Sequence, residues 1–211
     1  MKIPTEKIDL SPRAEFLRPI LENWFVVLRR FLDQRGAEKD NAWWYNERAS
    51  VGTLAAAAWL AGGTALEEYS AIKGEYVGKG KDLEDSFPGR VDIHVTHKRS
   101  SWVGEAKHHW VNLSKGKQGG GELETAIDFA ETDVKQDKGE AEIRIALVFA
   151  VPNMKESESH EQEALVAPWL AMTEDLGLDA IASFYPCFGE RNEYKGKYFP
   201  GVTLLMKVQS D

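Results

Sequence analysis

The chain has 211 residues, 43% of them apolar and 28% charged, with seven tryptophans, one cysteine and a formal net charge of −8. That size and balance suit one globular domain, or one domain with an added helical arm. The lone Cys187 excludes an internal disulfide and reads as structural. No run is long and apolar enough to span a bilayer, and the acidic sum argues against a general nucleic-acid coat, which would need cationic surface. The N-terminus "MKIPTEKIDLSPRAEF" lacks the apolar stretch of a secretory signal, so a soluble, cytoplasmic protein with no membrane partner is expected.

Charge is unevenly spread. Between Lys73 and Lys117, nine Lys and Arg stand against six Asp and Glu, and four of the five histidines lie there too. A locally basic segment on an acidic body is compatible with a polyanion partner, although a solvated face has the same look.

In chain order, residues 12–34 read as one amphipathic helix with Phe16, Ile20, Trp24, Val27 and Phe31 on a stripe, started by Ser11–Pro12 and kinkable at Pro19. A second, alanine-rich helix runs from about Ala42 to Leu60 and stops at Gly62–Gly63. "TALEEYSAIKGEYVGKGK" reads as a strand with a lysine- and glycine-rich turn, and "RVDIHV" with "SWVGEAKHHW" as a hairpin. A basic glycine-rich loop follows. A helix with Leu123, Ile127, Ala130 and Val134 on one stripe comes next, then the buried-strand run "EIRIALVFAVP". The tail offers a helix near Glu161–Asp175 and strands at "AIASFYP" and "GVTLLMKV".

The hairpin carries the chemistry. Side chains alternate faces along a strand, so Asp92 and His94 share one face of "RVDIHV" and Glu105 and Lys107 share one face of "WVGEAK". A tight turn at Lys98–Arg99 sets Asp92 directly opposite Glu105, with Lys107 one step along; any odd-length loop would destroy that facing. Two carboxylates so opposed repel unless a divalent cation lies between them, and hard oxygen ligands suit Mg²⁺ or Mn²⁺. A lysine beside that ion could hold an attacking water or stabilise charge on a phosphate. Glu47 shares the stripe of Trp43, Val51, Leu54 and Ala58 on the second helix, where a carboxylate needs a partner.

Asp92, twelve residues, then Glu105–Ala106–Lys107, with Glu47 on a preceding helix, resembles the PD-(D/E)XK nuclease superfamily. The name-giving proline is replaced by Val91, with Pro88 upstream. The resemblance implies a restriction-endonuclease-like α/β core, an α-β-β-β-α-β mixed sheet flanked by helices, over about 42–152. Residues 1–40 would then be an N-terminal helical extension, 41–211 the nuclease-like domain and 153–211 its C-terminal elaboration. It implies Asp92, Glu105 and the Ala106 carbonyl as metal ligands, Lys107 as the catalytic lysine, Glu47 as an accessory acidic residue, and Gln136 as the nearest helper on the following helix. The implied activity is Mg²⁺- or Mn²⁺-dependent hydrolysis of DNA, with RNA an open alternative, in restriction, repair or phage defence. A homodimer through the apolar N-terminal helix is open, as is that helix simply capping the core.

Plainer readings stand beside this one. Asp92, Glu105 and Lys107 could form an ion-pair ladder on a solvent-facing sheet of an acidic scaffold, and Glu47 could merely answer a helix N-terminus. The fold could also serve as a catalytically silent module that binds nucleic acid or a protein. His108 and His109 point to opposite faces and lack partners at zinc spacing. His94 reads as a hydrogen-bonded sheet histidine, and "SKGKQGGG" lacks the ending of a phosphate-binding loop. Trp43, Trp44 and Tyr45 could stack on bases, with core packing as the default.

Overall fold

A computed structural model describes residues 5–34, 41–74, 87–114, 121–137, 141, 143–186 and 193–209. Cys187, the glycine-rich loop after Ser114 and the lysine-rich turn after Gly74 lie outside the described residues. The elements are β1 (Glu6–Leu10), α1 (Arg18–Gln34), α2 (Glu47–Leu60), β2 (Thr64–Lys73), β3 (Phe87–His97), β4 (Ser100–Asn112) and α3 (Gly121–Lys135). They continue as β5 (Ile143–Lys155), α4 (Gln162–Glu174), β6 (Ala180–Phe184), β7 (Glu193–Tyr194), β8 (Lys197–Tyr198) and β9 (Val202–Val208).

This is an α/β fold, a mixed nine-strand sheet flanked by helices. The strand order is β1-β6-β9-β5-β4-β3-β2, with the small β7–β8 hairpin attached to β5. The pair β4–β5 is parallel, and α3 makes the crossover that a parallel pair requires. The expected succession of helix, three strands, helix and strand is met by α2, β2, β3, β4, α3 and β5.

The sheet divides the core. On one face, α1 and α2 pack on Ile93, Val95, Trp102, Ala106, Leu147 and Phe149. On the other, the expected α3 stripe of Leu123, Ile127, Ala130 and Val134 packs with α4 on Ala146, Val148 and Ala150. Central β5 is buried on both faces, which is why it reads as an unbroken apolar run. Gly104 is required by this packing: a Cβ there would lie 2.7 Å from Leu147 Cδ1 and 3.0 Å from Ile93 Cγ2.

Four expectations need correction. Residues Pro12–Leu17 form a 3-10 turn before α1, so Pro19 sits in the first turn of the α-helix, where a missing N–H costs nothing. The buried face of α1 is Ile20, Leu21, Trp24, Phe25, Leu28 and Leu32; of the expected stripe Ile20 and Trp24 lie on it, Phe16 and Val27 are half-buried at its edge, and Phe31 is exposed. Ala42–Trp44 likewise form a 3-10 turn, and α2 starts only at Glu47, where the Asn46 side chain accepts from the Ala49 N–H at 3.0 Å. Finally, the N-terminal segment is more than a helix. "EKIDL" forms β1 and pairs antiparallel with β6, and the apolar face of α1 is spent on the chain's own core.

Candidate active site

The β3–β4 hairpin turns at Lys98–Arg99, with Lys98 at φ 56°, and its partners run from His97↔Ser100 to Ile93↔Gly104. That is the register in which Asp92 meets Glu105. The ladder stops one step short of that pair. β4 stays bonded to β5 along its length, so β3 is the strand that peels away. At the fork the Asp92 side chain replaces the missing backbone pairing: its Oδ2 accepts from the Ala106 N–H at 2.7 Å.

Glu105 lies opposite Ala146 and Lys107 opposite Val148 in the parallel ladder, and Ala146 and Val148 belong to the α3-side core. Both site residues therefore face α3. Glu105 is buried, and Lys73 at the end of β2 brings its Nζ to 2.6 Å from Oε1. Burial raises the Glu105 pKa; the Lys73 hydrogen bond opposes this, the charge of Asp92 adds to it, and the carboxyl is pushed up to about 7.

Lys107 pairs with Asp133 of α3, Nζ to Oδ2 at 2.6 Å. Burial alone would lower the Lys107 pKa. The hydrogen bond and charge of Asp133, helped by Glu47 and Asp92, outweigh burial and hold the ammonium above its ordinary value. Glu47, first residue of α2, is half-buried and hydrogen-bonded to the His108 backbone. Burial, then the charge of Asp92, raises its pKa against the pull of Lys107. Beside it a cavity of about 230 Å³ is lined by Asn46, Glu47, Arg48, Val51, Glu67, Glu68 and Asp92.

All four expected side chains thus gather at one fork, contributed by α2, β3 and β4. Two further ones were not anticipated. The residue that reaches the lysine is Asp133 of α3; Gln136 lies just past the end of that helix, and its carbonyl accepts from the Gly74 N–H. A carboxylate flanking the buried Ala130–Val134 stripe was the available signal. Lys73 was hidden by a change of face within β2. Ala65 packs in the α2-side core, whereas Tyr69 stacks on His94 and Lys73 reaches Glu105 on the opposite side. The switch falls at Glu68, which has φ 52° and skips its pairing with Asp92. Arg48 and Arg90 clamp the Glu68 carboxylate at 2.6 and 3.4 Å.

The histidines behave as strand parity demands. His108 faces α2, its Nδ1 3.4 Å from Ser50 Oγ, while His109 Nε2 lies 4.0 Å from Glu122 on α3. Burial, with the nearby His109, lowers the His108 pKa to about 4. His94 is hydrogen-bonded to Ser101 Oγ at 2.9 Å. Trp43 and Trp44 are core residues, and Tyr45 is exposed. Among the described residues no three His, Cys, Asp or Glu side chains converge closely enough to hold a metal ion. Asp92 is turned onto a backbone N–H and Glu105 onto Lys73. Among the described residues no helix is long and apolar enough to cross a membrane.

Compared with known proteins, the chain matches no family model, no curated protein and no solved structure.

Proposed function

We propose that this chain is a Mg²⁺- or Mn²⁺-dependent nuclease of the PD-(D/E)XK type that hydrolyses DNA phosphodiester bonds. The observation carrying the reading is the convergence of Glu47, Asp92, Glu105 and Lys107, from three separate elements, at the fork between β3 and β4. A surface ion-pair ladder accounts poorly for a buried Glu105 beside a second carboxylate.

The donor set fits a hard divalent cation. Asp92 and Glu105 would supply carboxylate oxygens and the Ala106 carbonyl a third ligand, while Glu47, which does not converge with both carboxylates, would join through water. The raised pKa values of Glu47 and Glu105 reflect burial first and then the charge of Asp92, and a bound cation would offset that charge. Once bound, the ion supplies a polarised phosphate oxygen and a more acidic water. Lys107 then hydrogen-bonds the attacking water and meets the charge that grows as its oxygen bonds to phosphorus and one P–O ester bond breaks. Asp133 holds the Lys107 side chain on that face.

The test is a cleavage assay on supercoiled plasmid, linear duplex, single-stranded DNA and RNA, with Mg²⁺, Mn²⁺ or EDTA. Metal-dependent cleavage that falls at least 100-fold in Lys107→Ala is expected, as for loss of one electrostatic catalytic group. Identical traces for wild type and variant would sink the proposal.

One observation favours a silent module instead. Lys73–Glu105 and Lys107–Asp133 are closed ion pairs, so the site is partly neutralised by its own side chains. On that reading the protein retains DNA in a filter-binding assay and never cleaves it.

A further inference from the structure

We infer that Lys73 is the resident counter-ion of Glu105 and competes with the divalent cation for it, so that cation uptake displaces the lysine. The inference rests on the proposed metal site. Its geometry is specific: Nζ lies 2.6 Å from Oε1, and the two side chains are only 15% and 5% exposed. An ammonium at that distance stands where a ligated cation would neutralise the same oxygen, and two positive charges repel strongly at such separation in a poorly solvated site.

The approach of Lys73 is built into the neighbouring strand. Gly89 faces Ala71 in the β2–β3 ladder, and a Cβ on it would come within 2.9 Å of both Cγ and Cδ of Lys73. The lysine stem lies across the space that this glycine leaves open. The turn of face at Glu68 brings Lys73 to the α3 side, and backbone bonds fix its neighbourhood: Lys73 bridges Asp137, and the Gly74 N–H donates to the Gln136 carbonyl. Lys73 is therefore a positioning residue. It keeps Glu105 compensated while no cation is bound and leaves that oxygen when one arrives.

The experiment is a calorimetric Mn²⁺ titration of the full chain at constant pH and low salt, comparing wild type, Lys73→Met and Gly89→Ala. It is paired with a Mg²⁺ titration of wild type carrying ¹³C-labelled lysine side chains. Lys73→Met is expected to bind Mn²⁺ at least ten times more tightly, and Gly89→Ala, which crowds the stem while keeping the charge, to shift affinity the same way by less. The Lys73 ε-carbon resonance of wild type is expected to move as Mg²⁺ saturates. Equal or weaker Mn²⁺ binding by both variants overturns the inference, as does a static Lys73 resonance under saturating Mg²⁺; either leaves the nuclease reading intact. Should Lys73→Met fail to fold, Gly89→Ala and the wild-type resonance still decide. No binding by any of the proteins overturns the metal site, and the inference with it.

Discussion

Replacing Glu105 by glutamine keeps the side-chain shape and removes a charge that burial opposes. The Glu105 carboxyl is raised from 4.5 to about 7 in the fold. Between those values the folded state holds a proton that the unfolded state has released, so stability falls as pH rises. The contribution is fully present below about 4.5 and lost by the time pH has passed about 7. A displacement of that size is worth roughly 3 kcal/mol. Glutamine cannot titrate, and the two proteins share every other ionisable group, so their stability difference isolates Glu105. Urea unfolding followed by tryptophan fluorescence, in EDTA, at pH 5, 6, 7 and 8 measures it. Stability of Glu105→Gln relative to wild type is expected to rise by roughly 2–3 kcal/mol across that range, most of the full linkage. A difference that stays constant within about 0.5 kcal/mol, near the resolution of such extrapolations, would refute the claim that Glu105 is buried beside Asp92 with only partial compensation from Lys73.

Other predictions follow from the same contacts. The His108 pKa is lowered to about 4, so its ring signals should stay those of neutral imidazole until pH approaches that value in an NMR titration. Its stability contribution has the opposite sense to that of Glu105: present above about 6.5 and lost as pH falls toward 4, a slope that His108→Asn should remove. Asp133→Asn takes away the negative charge paired with Lys107 and should lower its pKa, read from ¹³C shifts of the labelled ε-carbon. Thr53→Val deletes the acceptor of the buried Trp24 Nε1–H, a 2.9 Å bond, and should cost about 1–3 kcal/mol in urea unfolding. Gly104→Ala forces a methyl against Leu147 and Ile93 and should cost about 1–3 kcal/mol by overpacking.

Much of this arrangement was legible in the chain itself. Alternation along "RVDIHV" and "WVGEAK" and a two-residue turn sufficed for Asp92, Glu105 and Lys107 to share a face, because strand parity is a local property that the turn transmits without loss. The stripe of α3 and the order from α2 to β5 were readable for the same reason: helix and strand periods are written in neighbouring residues. The tertiary structure alone decided the rest. Glu68 takes a left-handed conformation that a glutamate does not advertise, and that one residue turns Lys73 toward Glu105. Asp133 lies on the last turn of α3 and Gln136 just past its end, so which of them meets Lys107 depends on where the helix stops and how it is set against the sheet. β1 pairs with a strand more than 160 residues away, and no local pattern encodes a partner at that distance. The fork that opens the site is likewise nonlocal: β4 keeps its parallel bond to β5 while β3 departs at Asp92, a competition between neighbours that only the assembled sheet resolves.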